Sequence, residues 1–66
     1  MQLRVNGVIR EVPEGITIDT LLKDLKVQRE GVAVAVNQAV IPKLQHTFSA
    51  LSPEDQVEII QAVGGG

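Results

Sequence analysis

Gly64, Gly65 and Gly66 follow directly on the apolar run Val57-Glu58-Ile59-Ile60-Gln61-Ala62-Val63 and close the sequence. Glycine makes up about 7% of average sequence, so three together at one chosen place arise by chance about three times in ten thousand. A segment without Cβ atoms passes through slots that admit no other residue. Read as a free end, Gly66 presents an α-carboxylate, anionic at neutral pH. The chemistry open to that group is activation at phosphorus. The carboxylate displaces pyrophosphate from ATP, and a sulfur nucleophile then takes the acyl group from the adenylate. The competing reading is a frayed or appended end, because termini are common places for disorder.

Elsewhere the residue types form no catalytic constellation. His46 is the single histidine and has no cysteine or clustered carboxylate near it in sequence to act as metal ligand or triad partner, so it reads as a plain loop residue. Glu54, Asp55 and Glu58 resemble a metal cluster only in composition. The first two fall in a turn and the third alternates onto an exposed strand face, which makes a solvated acidic rim the better reading. Lys43 has no surroundings that suit a Schiff-base lysine and is expected in solvent. No metal site is expected, and the chain is not expected to be an enzyme.

Composition narrows the partners. The chain has 66 residues, 44% hydrophobic and 2% aromatic, with six Lys and Arg against eight Asp and Glu for a net charge of -2. That length suits one small domain with a core of Val, Ile, Leu and Ala. A single Phe and no basic run argue against nucleic acid, which wants stacking platforms and cations along the phosphates. No stretch approaches the roughly 20 apolar residues of a membrane span, and the start Met1-Gln2-Leu3-Arg4 lacks the apolar h-region of a signal peptide. The absence of cysteine agrees with a reducing compartment. A cytoplasmic monomer without bound cofactor is expected.

The elements that must carry the tail are legible in outline. Residues 2–6 and 8–12 read as strands joined by a type I′ turn at Asn6-Gly7. That turn sets Val5 opposite Val8 and Leu3 opposite Arg10, an arginine among core-facing residues. Either a bulge turns Ile9 inward, or Arg10 lies at the sheet margin and reaches water, the second being favoured. Thr17 is placed to cap a helix with the stripe Ile18, Leu21, Leu22 and Leu25, with Ile16 and Leu21 as hydrophobic staple and Asp19 near the positive end of the dipole. The helix is expected to fade by Gly31. Residues 32–36 read as an interior strand with its valines toward the helix, Asn37-Gln38 as a turn, and residues 39–41 as a short strand ended by Pro42. Leu44, Phe48 and Leu51 are expected to plug the open end of the core, Ser52-Pro53-Glu54-Asp55 to turn, and residues 57–63 to form the last strand.

The last strand has two partly apolar faces. With Val57 and Ile59 toward the helix, Glu58, Ile60 and Ala62 face the other way, beside Ala33 and Ala35 where the strands are neighbours. A sheet covered on one side leaves that patch open. Scattered apolar surface is ordinary, but a contiguous patch next to a functional tail reads as a docking site.

The hairpin at Asn6-Gly7, the Val-Pro-Glu-Gly-Ile-Thr approach to the helix, the Ala-Val-Asn-Gln-Ala-Val-Ile-Pro-Lys segment at residues 35–43 and the final Val-Glu-Ile-Ile-Gln-Ala-Val-Gly-Gly-Gly resemble ThiS, the family of thiamine-biosynthesis sulfur carriers. The resemblance runs over the whole chain and implies an α+β fold of the ubiquitin-like β-grasp type. In it a mixed sheet of about five strands carries one main helix on one face, with residues 1–63 as the domain and 64–66 as a flexible tail. It also implies a protein co-substrate whose Gly66 is adenylated by a ThiF-type E1-like enzyme with ATP and magnesium and then converted to a thiocarboxylate. Sulfur would come from a donor such as a cysteine desulfurase and pass to thiazole synthase (ThiG), with Gly64 and Gly65 in the partner's channel. Four extended residues from Val63 reach about 13 to 14 Å, enough to enter an active site while the domain stays outside. Two related roles stay open: a carrier of the molybdopterin synthase small-subunit type, whose Phe-Pro-Pro-type segment Gln61-Ala62-Val63 lacks, and a ubiquitin-like modifier of lysines. The sequence departs from the family at Glu54, where Gly commonly precedes Asp, which bears on the turn and not on the chemistry.

Overall fold

Alternation of apolar residues makes β1 (Gln2–Val5), whose Leu3 and Val5 are buried while Gln2 and Arg4 are exposed. In the computed structural model, which describes residues 1–28 and 30–61, β1 pairs antiparallel with β2 (Val8–Glu11) across Asn6 (φ 49°) and Gly7 (φ 83°). Two positive φ angles are what a type I′ hairpin turn requires. The register sets Val5 opposite Val8 and Leu3 opposite Arg10 without a bulge. The arginine is accommodated by position: β2 is an edge strand exposed along its whole length, so Arg10 reaches water at the sheet margin.

Gly15 (φ 78°) turns the chain toward α1 (Ile18–Asp24), whose first turn is capped by Thr17, the hydroxyl accepting from the Thr20 N–H at 3.3 Å. Ile16, Ile18, Leu21 and Leu22 are buried in one cluster and Leu25 packs at its margin. The helix ends well before Gly31. Lys26 adopts φ 59°, the Leu25 N–H reaches the Leu21 carbonyl, and the Val27 N–H donates back to the Leu22 carbonyl at 2.9 Å. This is a Schellman closure with Lys26 in the place glycine usually takes, held by the packing of Val27 against the core.

The chain returns as β3 (Val32–Val36), turns through Asn37 (φ 51°) and Gln38 (φ 72°), and runs back as β4 (Ala39–Ile41). A 3₁₀ turn at Lys43–Gln45 and a loop lead to β5 (Gln56–Gln61), so the expected last strand begins one residue early, and its residues 62–63 lie outside the described residues. The sheet order is β2-β1-β5-β3-β4, with β5 parallel to β1 and antiparallel to β3. One helix over one face of this mixed sheet is the β-grasp arrangement that the resemblance implies. No described helix is long and apolar enough to cross a membrane.

The open end of the core is closed differently from the expectation. Leu51 is buried, but Leu44 is 89% exposed and Phe48 points outward as well, while His46, expected as a plain loop residue, is 1% exposed. Its Nε2–H donates to the Ile41 carbonyl at 3.0 Å, and its own carbonyl accepts the Asp19 N–H at 2.9 Å. Because a carbonyl can only accept, the hydrogen sits on Nε2. The 3₁₀ turn decides the outcome: it leaves Leu44 exposed and brings the His46 backbone against the first turn of α1, where Asp19 is also buried with Oδ2 3.5 Å from Lys23 Nζ. The loop is then stapled to the helix approach by Ile18 N–H to Ser49 C=O (3.1 Å) and Leu51 N–H to Ile16 C=O (2.8 Å).

Candidate functional site

Strand β5 lies in the middle of the sheet, and its last described residue, Gln61, leads into the glycine segment. Both ends of the strand are tied by hairpin asparagines. At its start, Asn37 Oδ1 accepts the Gln56 N–H at 3.0 Å and Asn37 Nδ2 donates to Asp55 Oδ1 at 3.0 Å. Toward its end, Asn6 Oδ1 accepts the Ile59 N–H at 2.8 Å and Asn6 Nδ2 donates to the Ile59 carbonyl at 3.3 Å. The Asn6 amide thus stands in for a strand residue after β1 has turned away. Asparagine suits both places because it tolerates positive φ and its side chain carries a donor and an acceptor. Sequence reasoning read these residues only as turn formers.

The two faces of β5 separate as the alternation requires. Val57 and Ile59 are buried against the helix side, whereas Glu58 and Ile60 are exposed on the other. Pairing with β3 sets Ile60 opposite Ala33 and Glu58 opposite Ala35, so these four docking residues share one face. Ala33 is exposed and Ile60 is 60% exposed. Ala35 departs from the expectation: at 9% exposure it is the floor of the patch and not a contact surface, since a methyl group between the cross-strand neighbours Glu58 and Val40 is covered by both. Val40, 72% exposed, belongs to the patch and was missed. The signal was available: with Ile41 turned inward, alternation along β4 turns Val40 outward. Ala62, Gly64, Gly65 and Gly66 lie outside the described residues.

Polar groups frame this patch. Arg4 shares the open face, paired across β1 to Ile9 and to Gln56. Glu54 and Glu58 are exposed, as an acidic rim requires. Asp55 is not part of that rim, because its two oxygens accept from Asn37 Nδ2 and from the Ser52 N–H at 2.8 Å and so build the turn. Glu54, the departure from the family pattern, holds φ 66°, and the turn keeps its geometry with the Glu54 N–H bonded to the Gln2 carbonyl at 2.7 Å. Lys43 is exposed, as expected.

The arrangement offers an open platform on the strand that precedes the glycines in sequence. The crystal structure of a thiamine biosynthesis protein (ThiS) from Geobacter metallireducens superposes with a TM-score of 0.86 at 35% identity, with all of both chains covered. The sulfur carrier protein ThiS of Escherichia coli (strain K12) is 30% identical over 66 residues, which is 100% of each chain. A thiazole synthase of Paramagnetospirillum magneticum is 35% identical over the whole of this chain, which spans 20% of that protein's length. A second thiazole synthase, from Magnetococcus marinus, is likewise matched over 20% of its length. The ThiS family pattern itself matches residues 3–66, glycines included, and the chain belongs to the ThiS family.

Proposed function

We propose that this chain is a sulfur carrier for thiazole formation in thiamine biosynthesis, a protein co-substrate on which partner enzymes act in the cytoplasm. The Gly66 carboxylate attacks the α-phosphorus of ATP in the active site of a ThiF-type adenylating enzyme that also holds magnesium. Pyrophosphate leaves and an acyl-adenylate forms. The terminal persulfide sulfur of a donor such as a cysteine desulfurase attacks the acyl carbon, the carbon–oxygen bond to AMP breaks, and a thiol reductant cleaves the acyl disulfide so formed, is itself oxidised to a disulfide, and leaves a thiocarboxylate on Gly66. Thiazole synthase (ThiG) receives the sulfur.

The full-length match to Escherichia coli ThiS, glycine tail included, carries this reading. The alignment of the whole chain to part of two thiazole synthases supports that enzyme as receiver. The patch of Ile60, Ala33 and Val40, rimmed by Glu58, is the surface on which a partner would dock while Gly64 and Gly65 occupy its channel.

Intact mass after incubation with ATP, magnesium, a ThiF-type enzyme and a sulfur source tests the proposal. Exchange of one terminal oxygen for sulfur is expected; an unchanged mass, or a lysine-linked adduct in cell extract, overturns it. Gly65→Ala and Gly66→Ala are expected to lose most thiocarboxylate formation because a Cβ meets the channel wall, whereas Gly64→Ala retains most of it. Unimpaired Gly66→Ala would contradict the steric argument.

A further inference from the structure

On the helix side of the sheet a cavity of about 390 Å³ opens between β2 and the segment after α1. Buried Val5 and Ile59 form its floor. Val8 and Arg10 make one wall, and Leu25 and Val27 make the other. This surface is separate from the patch around Ile60, which faces the opposite way.

The backbone of β5 supplies an independent feature at the mouth of the cavity. The Val57 carbonyl turns toward β1, where it accepts the Asn6 N–H at 2.9 Å. Ile59 turns its N–H and C=O to the same side, where the Asn6 amide takes both. The period of two aims the N–H and C=O of Gln61 that way too. At that level β1 has already turned into β2 and its pairing with β5 ends at Val57, so Gln61, paired to Val32 of β3 on one side, has no described strand beside it on the other. Gln61 also lines the cavity. The open backbone position at Gln61 beside an apolar groove is a starting point for strand addition, in which main-chain bonds give affinity and alternate side chains fill the groove. Arg10 gives the site a sign: among the described residues it forms no ion pair.

We propose that this groove binds an extended segment of another protein, which adds as a strand to the β5 edge at Gln61, seats an apolar side chain between Val8 and Leu25, and sets a carboxylate against Arg10. The charge complement is what selects an acidic β-forming segment over other occupants. The register of the arginine on the inner side of an edge strand, an oddity for the core, becomes the specificity element of the groove.

A random linear heptapeptide library selected against the full chain tests this, followed by titration of a selected synthetic peptide into isotope-labelled protein. Expected are peptides with Asp or Glu at a constant position among β-branched residues, and amide shifts at Ile59, Gln61 and the Asn6 side chain. Arg10→Glu, and Arg10→Gln should the first variant fold poorly, is expected to weaken binding at least tenfold, while Ile60→Glu changes it less than twofold. Failure to select any peptide, shifts confined to Ile60, Ala33 and Val40, or binding by both Arg10 variants within twofold of the parent chain overturns the proposal. Shifts at the same amides that grow with protein concentration before peptide is added overturn it in favour of a second copy. No ATP or sulfur enters the assay, so its outcome is independent of the carrier chemistry.

Discussion

Ile59 and Ile60 are neighbours of identical chemistry, yet the first lies in the core beneath α1 and the second stands on the open face above Ala33. The contrast extends to the whole sheet. The covered face holds Leu3, Val5, Val34 and Val57, all buried, whereas the open face carries Arg4, Glu58 and Ile60. One face therefore bears the stability of the domain and the other is free to change with its partners. In a core of so few side chains a residue cannot easily serve both ends.

The sharpest way to break the comparison is a charge on each side of β5. Ile59→Glu is expected to cost more than about 4 kcal/mol and to leave the domain unfolded, since a carboxylate would lose its water in an apolar core. Ile60→Glu is expected to change stability by less than about 0.5 kcal/mol and to weaken binding of the adenylating partner proposed above. Thermal melts that rank Ile60→Glu as the more damaging change would show the assigned faces to be reversed.

The loop after β4 repeats the contrast one step down in size. His46→Ala is expected to cost about 2 to 4 kcal/mol, because it empties a buried site and strips the Ile41 carbonyl of its donor. Phe48→Ala, at the one aromatic residue of the chain, is expected to stay within about 0.5 kcal/mol. Urea titrations that reverse this order would restore Phe48 as the plug.

Asn6→Ala tests whether the end of β5 is held from the side. It leaves the Ile59 N–H and C=O without their partners and is expected to cost about 1 to 3 kcal/mol. Hydrogen exchange is the direct readout, with faster exchange expected at the Ile59 amide than at the Gln56 amide, which Asn37 still holds. Equal acceleration at both would mean that Asn6 acts on global stability alone.

The smallest expected effect concerns the turn before β5. Glu54 sits at φ 66°, where a Cβ is strained, so Glu54→Gly is expected to raise stability by about 0.5 kcal/mol, the strain relieved being partly offset by the entropy of glycine. A loss of stability on melting would show that the Glu54 side chain contributes more than its backbone strain costs.

Local patterns were enough for much of the domain. The Asn6-Gly7 turn with its strand register, the Thr17 cap, the stripe from Ile18 to Leu22, and strands β3 and β4 were all legible, because each depends on a few neighbouring residues and a period of two or 3.6. The sharing of one face by Ile60, Glu58, Ala33 and Ala35 followed from alternation together with the neighbouring of the two strands, which the fold supplied. What the tertiary structure alone decided are matters of who stands beside whom. Ala35 is covered because Glu58 and Val40 flank it from two different strands. His46 is the plug in place of Leu44 and Phe48 because the 3₁₀ turn meets the first turn of α1, a contact between segments far apart in sequence. Asn6 and Asn37 serve as clamps only because β5 runs between their hairpins. For Arg10 the sequence favoured a place at the sheet margin over a bulge, and the strand order, with β2 at the edge, decided between the two.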